Sequence, residues 1–123
     1  MSKLLMSIKP QYVTEILCGR KLYEFRKNRC KCPVTSMLVY ATSPIQKVVA
    51  EVEITDIWEE TPSVLWSKTF HAAGISKENF DRYFENRSYA VAYCLGTKKV
   101  FNPALNISNL GLTHPPQSYC YIE

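Results

Sequence analysis

Apolar and polar residues alternate between positions 48 and 55, and this pattern limits the possible folds more than any other feature of the chain. Successive side chains of a β-strand point to opposite faces, so a period of two predicts a strand with one buried and one exposed face. Such strands are typical of antiparallel sheets. The predicted inward residues are Val48, Ala50, Val52 and Ile54, and the predicted outward residues are Glu51, Glu53 and Thr55.

Apolar runs and helical spacing predict the other elements. Further strands are predicted at residues 3 to 9, 22 to 26, 37 to 41, 89 to 95 and 119 to 122. Helices are predicted from Pro10, which suits a first helical turn, and after Thr61 and Ser76. Helices inserted between mostly antiparallel strands predict an α+β fold, for which a small, mixed, mainly antiparallel β-barrel is the preferred architecture. We expect one domain over residues 1 to 123.

Composition excludes several classes of protein. The apolar fraction of 46% and the charged fraction of 21% are ordinary for a globular domain and argue against disorder. No apolar run is long enough for a signal peptide or a membrane span, which predicts a cytoplasmic protein without a membrane partner. Five scattered cysteines predict reduced thiols, and the one-residue spacing of Cys30 and Cys32 does not suit a zinc site. No metal and no cofactor are predicted.

Basic residues are concentrated in the first part of the chain. Residues 1 to 47 contain nine Lys or Arg and two acidic residues, a formal charge of +7, whereas residues 48 to 123 contain six basic and nine acidic residues, a charge of −3. A local positive potential attracts phosphate groups and makes their binding salt-dependent. This distribution is compatible with an RNA or nucleotide partner, and equally with a solvated loop whose lysines serve solubility.

The segment from residue 19 to residue 27, Gly-Arg-Lys-Leu-Tyr-Glu-Phe-Arg-Lys, holds the candidate site. In a strand, Glu24 and Arg26 share a face and lie roughly 6 to 7 Å apart, with Lys21 where the strand begins. On a face that lines a cavity, these groups can position a polar or anionic ligand, and a buried lysine can become a base or nucleophile. A structural salt bridge and an ordinary solvent-exposed surface remain as alternatives.

Four patches of the chain carry a resemblance to a known family. They are Ser7-Ile8-Lys9-Pro10, the pattern Gly19-x-Lys21-x-x-Glu24-x-Arg26, the segment Val39-Tyr40-Ala41-Thr42-Ser43-Pro44, and Pro115-Pro116-Gln117-Ser118. Together they resemble the ASCH domain, a family with a PUA-like β-barrel. The second pattern is the most specific, and the resemblance covers nearly the whole chain.

The resemblance implies a cleft beside the barrel, RNA binding, and a role near translation or in RNA-dependent regulation. Carried over by position, the binding site comprises Lys9, Lys21, Glu24, Arg26 and Ser43, with Gln117 and Ser118 as neighbours. Reasoning from residue types adds Lys27 and Arg29 as phosphate contacts. Candidate stacking residues, each of which also suits a barrel core, are Tyr40, Tyr89 and Tyr119. We expect Arg26→Ala to weaken RNA binding while leaving the fold intact.

Two branches that resemble this family are enzymes, and they supply the alternative function of a small hydrolase. One removes acetyl from N-acetylcytidine with a lysine, a threonine and a glutamate, and the other is a ribonuclease. Lys21 matches the lysine, but Glu24 stands where the amidohydrolase pattern has threonine. The distal glutamate of that pattern falls near Gly74 or Ile75, where the chain has no acid. If the chain is an enzyme, Lys21 and Glu24 are the candidate catalytic residues.

Overall fold

The computed structural model describes residues 2 to 122, which form six strands and three α-helices. The strands are β1 (Ser2–Ile8), β2 (Tyr23–Arg26), β3 (Val34–Ala41), β4 (Lys47–Glu60), β5 (Ala90–Leu105) and β6 (Tyr119–Ile122). The α-helices are α1 (Pro10–Leu17), α2 (Pro62–Thr69) and α3 (Lys77–Tyr83), and short 3₁₀ helices span Phe70–Ala72 and Ile107–Leu110. No helix among these residues is long and apolar enough to cross a membrane.

The strands form one sheet in the order β2-β5-β4-β3-β1-β6. Every neighbouring pair is antiparallel except β1 with β3. Parallel strands need a crossover connection, and α1 and β2 lie in the chain between β1 and β3. The predicted α+β fold, with a mainly antiparallel sheet and helices inserted between strands, is confirmed.

Strand β4 occupies the interior of this sheet and confirms the alternating pattern. The predicted inward residues are all buried: Val48, Ala50, Val52 and Ile54. The strand is longer than predicted, because it continues to Glu60 and pairs there with Ala90 of β5. Register shifts interrupt the pairing between Val52 and Asp56. A bulge adds a residue to one strand and so reverses which side chains face inward beyond it. The alternation that predicted the strand from the sequence therefore does not continue past the bulges.

The two edges of the sheet curl towards each other and are joined by side chains. Arg26 at the end of β2 donates from Nη1 to Ser118 Oγ (3.1 Å) and from Nη2 to the carbonyl oxygen of Ser7 at the end of β1 (2.8 Å). In the loop after β2, the backbone N–H of Lys31 donates to the hydroxyl of Tyr121 in β6 (2.8 Å). The barrel-like shape is therefore completed by hydrogen bonds of side chains, in addition to the ladder hydrogen bonds within the sheet.

A group of aromatic rings packs the helical segment after β4 onto strand β2. Phe25 of β2 meets Phe80 of α3 edge to face, with ring centroids 5.1 Å apart, and Phe84 lies beside both rings. Tyr23, Phe25, Phe80 and Phe84 are all buried in this cluster. Successive side chains of a strand point to opposite faces, so Tyr23 and Phe25 lie opposite Glu24, and their packing brings α3 next to the candidate site.

Candidate functional site

A cavity of about 810 Å³ opens between the start of α1, strand β2, helix α3 and the segment before β6, and we refer to it as the β2 cavity. Its volume lies in the range of small-molecule sites. The polar and charged residues that line it are Ser7, Lys9, Gln11, Tyr12, Lys21, Glu24, Arg26, Thr42, Asn79, Arg82, Tyr83, Gln117 and Ser118. Six of them belong to the site expected from the sequence: Lys9, Lys21, Glu24, Arg26, Gln117 and Ser118.

Lys21 lies at the floor of the β2 cavity and is only 2% exposed. Its Nζ donates to the carbonyl oxygen of Ala73, at 2.7 Å. The same nitrogen lies 4.8 Å from the ring centroid of Phe25 and 5.4 Å from that of Tyr12. Two aromatic rings therefore border the amine of Lys21. Only one of its three N–H groups has a hydrogen-bond acceptor among the described residues.

Burial lowers the pKa of Lys21 below its ordinary value of 10.5, because the desolvated ammonium ion loses hydration. The carboxylate of Glu24, whose Oε1 lies 4.0 Å from Nζ, raises the pKa, and the guanidinium of Arg26 lowers it. Desolvation is the largest of these effects, so the pKa is lowered and Lys21 loses its proton at a lower pH than a solvated lysine does.

Replacing Lys21 with methionine is expected to remove a pH-dependent part of the stability. Because the folded-state pKa lies below 10.5, the unfolded chain binds more protons than the folded chain between the two pKa values. The contribution of Lys21 to the free energy of unfolding therefore increases as the pH rises from the folded-state pKa to the unfolded-state pKa. Urea titrations of the wild type and of Lys21→Met give the unfolding free energy of each protein. The wild-type value minus the Lys21→Met value should increase from about pH 7 to pH 10. The exposed Lys99→Met is the control, and a flat difference for Lys21→Met would contradict the burial-driven pKa shift.

Glu24 and Arg26 form a buried ion pair beside Lys21. Oε2 of Glu24 accepts from Arg26 Nε (3.2 Å) and Nη2 (2.9 Å), and the side chains are 8% and 12% exposed. With the bonds to Ser118 and Ser7, four of the five N–H groups of Arg26 are in use. Oε1 of Glu24 accepts no hydrogen bond from residues 2 to 122 and lies 4.0 Å from Lys21 Nζ. Arg26 therefore serves mainly to hold the site together.

Helix α3 supplies one wall of the cavity, which the sequence analysis missed. Asn79, Arg82 and Tyr83 lie at positions i, i+3 and i+4, a spacing that places them on one helical face. Arg82 donates from Nη1 to Asn79 Oδ1 (3.1 Å) and is otherwise exposed. This polar spacing is visible in the sequence, but Tyr83 also has the helical spacing of an apolar stripe with Phe80 and Phe84. It is 36% exposed.

Four residues expected in the site lie outside the cavity lining. Tyr40 is 4% exposed and packs in a core cluster with Leu5, so its ring has no face open to a ligand. Ser43 lies in the turn after β3. Lys27 places its Nζ 4.9 Å from the ring centroid of Tyr83, and Arg29 borders a separate cavity of about 360 Å³. We leave all four out of the proposed ligand contacts.

The described residues contain no group of three or more His, Cys, Asp or Glu side chains arranged to hold a metal ion. The cysteines are free thiols, and Cys30 and Cys32 lie in the loop that follows β2. The chemistry available in the β2 cavity is accordingly that of a buried lysine, one carboxylate, guanidinium groups, amides and hydroxyls.

A curled, mainly antiparallel sheet with a cavity at its edge strand defines a small barrel-type domain. The sequence model of the ASCH domain matches residues 6–101, so the chain belongs to the ASCH domain family. The family assignment made from the four sequence patches is confirmed.

Individual relatives agree with this assignment. The chain is 28% identical over 124 residues to an ASCH domain-containing ribonuclease of Zymomonas mobilis, covering 96% of this chain and 82% of the relative. The crystal structure of ASCH from Zymomonas mobilis matches with a TM-score of 0.87 and 26% identity, covering 98% of this chain and 87% of that one. The chain is also 32% identical over 93 residues to the large ribosomal subunit protein uL22 of Ureaplasma parvum. That match covers 73% of this chain but only 29% of the relative.

Proposed function

We propose that residues 1 to 123 form one cytoplasmic domain that binds single-stranded RNA or its nucleotides in the β2 cavity. The observation that carries the proposal is the charge of the cavity lining. Four cationic side chains, Lys9, Lys21, Arg26 and Arg82, face one carboxylate, Glu24, which gives a formal charge of +3 when Lys21 is protonated. A concave, positively charged site attracts phosphate groups and concentrates their field.

The shape of the site favours single strands over duplexes. Proteins recognise RNA sequence mostly through unstacked bases of single strands, which enter pockets and contact aromatic or polar side chains. The β2 cavity has the volume for such a ligand and is bordered by the rings of Tyr12 and Tyr83. A relative named as a ribonuclease supports an RNA ligand. The family resemblance and the match to a ribosomal protein support a role in translation or RNA-dependent regulation.

Binding to a fluorescein-labelled, mixed-sequence RNA 10-mer is expected to weaken steeply with salt. Between about 50 and 200 mM salt the loss should follow the number of phosphates contacted, with a slope near 0.7 per phosphate in a plot of log affinity against log salt. The double variant Lys9→Ala/Arg82→Ala should weaken binding about tenfold at low salt and lower the slope. Fluorescence anisotropy measures both quantities.

The matched control removes the same charge elsewhere. Lys98 and Lys99 lie on β5, outside the cavity lining, and the variant Lys98→Ala/Lys99→Ala should retain most of the affinity. Equal losses in the two double variants would show that the net charge of the chain, rather than the cavity, attracts RNA. Absence of RNA binding at low salt would overturn the proposed function.

A second candidate function, RNA hydrolysis, is favoured by the lowered pKa of Lys21, because a neutral amine can accept a proton during catalysis. The same RNA incubations, resolved on a denaturing gel, separate the two functions: fragments that disappear in Lys21→Met would assign hydrolysis to this site. The amidohydrolase alternative has less support, since Glu24 is the one carboxylate among the lining residues.

A further inference from the structure

We propose that a nucleotide enters the β2 cavity with its base directed to the floor and its phosphate held at the rim. This inference rests on the proposed RNA-binding function and assigns separate roles to residues of the same cavity. Glu24 is the residue that selects a base, and Lys9 and Arg82 are the phosphate contacts.

The floor of the cavity is unsuited to a phosphate group. Glu24 is 6% exposed and lines the cavity, where its carboxylate would repel an incoming anion at short range. Arg26 carries the opposite charge, but it is paired with that same carboxylate and has one N–H group left. Burial also disfavours the charged form of Lys21. With two cations against one carboxylate, the floor therefore offers a phosphate less net positive charge than the rim, where Lys9 and Arg82 face no acid.

The same groups match the edge of a nucleobase. Oε1 of Glu24 accepts no hydrogen bond from residues 2 to 122, and Nζ of Lys21, 4.0 Å away, keeps at least one N–H group beyond the one donated to Ala73 in either protonation state. An acceptor beside a donor is complementary to the Watson–Crick edge of an unpaired base, on which N–H or amino donors adjoin ring nitrogen or carbonyl acceptors. A site whose polar groups match one ligand discriminates against ligands that lack the complementary groups.

The rim of the cavity, unlike its floor, presents exposed cationic side chains that are not paired with a carboxylate. Lys9, immediately before α1, and Arg82, in α3, are exposed, line the cavity, and form no ion pair with an acid of residues 2 to 122. A phosphate between them remains in solvent, so little desolvation opposes its binding. The floor suits an uncharged base and the rim suits a phosphate, and this difference sets the direction in which the nucleotide enters.

Small ligands test the orientation in the wild-type protein without any substitution. The four nucleosides, their 5′-monophosphates and ribose 5-phosphate are titrated by NMR, with the fluorescent RNA 10-mer as competitor. The preferred monophosphate should bind about threefold to tenfold more tightly than its nucleoside, through two exposed charge contacts. Ribose 5-phosphate, which has no base, should bind at least about tenfold more weakly than that monophosphate.

Variants then separate the two ends of the cavity. In Lys9→Ala/Arg82→Ala, the monophosphate should lose its advantage while the nucleoside keeps its affinity. In Glu24→Gln, nucleoside and monophosphate should both weaken about tenfold, with the salt dependence of RNA binding unchanged. Glu78→Gln, on the exposed surface of α3, is the matched control, and thermal unfolding checks that each variant is folded.

The opposite orientation gives opposite results. If phosphate binds at the floor, Glu24→Gln tightens monophosphate binding by removing a repulsive charge, and ribose 5-phosphate competes as well as the nucleotide; either result overturns the inference. RNA binding in the cavity without measurable binding of nucleosides or nucleotides also overturns it, while the proposed function stands. Absence of RNA binding, by contrast, overturns the proposed function itself.

Discussion

Arg26→Ala is expected to lower the free energy of unfolding by about 3 kcal/mol, because it leaves the carboxylate of Glu24 buried without its partner. Glu24 is 6% exposed and takes two hydrogen bonds from this guanidinium. The substitution also removes the bonds from β2 to Ser118 and to the carbonyl oxygen of Ser7, which join the edges of the sheet. Urea denaturation monitored by circular dichroism measures the loss.

A double-mutant cycle distinguishes an uncompensated charge from lost packing. Glu24→Ala/Arg26→Ala removes both charges and is expected to be more stable than Arg26→Ala alone, despite its smaller side chains. The control is Arg20→Ala, which breaks the solvent-exposed pair of Arg20 with Glu15 and should change stability little. A loss for Arg26→Ala no larger than that of the control would contradict the structural role assigned to Arg26.

This expectation revises the one drawn from the sequence, in which Arg26→Ala weakens RNA binding and leaves the fold intact. The pattern of residues 19 to 27 places a carboxylate and a guanidinium on one strand face, and the structure has them there. The pattern does not contain the partners of Arg26. Ser118 lies 92 residues further along the chain, and only the curl of the whole sheet brings it within hydrogen-bond distance.

Local periodicity predicted the features of the fold that are determined by short stretches of sequence. The alternation from residue 48 to residue 55 identified the buried face of β4, and the order of strands and helices gave the α+β class. The wall formed by α3 could not be predicted in the same way, because Asn79 and Arg82 reach the cavity only through the packing of Phe80 and Phe84 onto β2. Tyr40 illustrates an alternative that the sequence leaves open: a tyrosine suits both base stacking and a barrel core, and the burial of Tyr40 favours the core.

Gly74→Ala is expected to be the most damaging small substitution near the site. Gly74 has a φ of +65°, where an L side chain is strained, and an added Cβ would lie 2.5 Å from both Cβ and Cγ of Lys21. The Cβ of Lys21 is fixed to its backbone, so either the segment around Lys21, just before strand β2, or the segment around residue 74 must shift. Left-handed strain and overpacking together should lower the unfolding free energy by about 2 to 4 kcal/mol. RNA affinity should fall at least about tenfold, because the floor of the cavity moves.

A second glycine of similar conformation separates these two causes. Gly111 has a φ of +78°, and an added Cβ there would meet no atom within 4 Å, so Gly111→Ala reports backbone strain alone. We expect Gly111→Ala to lose about 1 kcal/mol and to keep its RNA affinity. The excess loss in Gly74→Ala then measures the contact with Lys21. Equal losses in the two variants, with equal RNA affinity, would mean that the position of Lys21 does not depend on a bare backbone at residue 74.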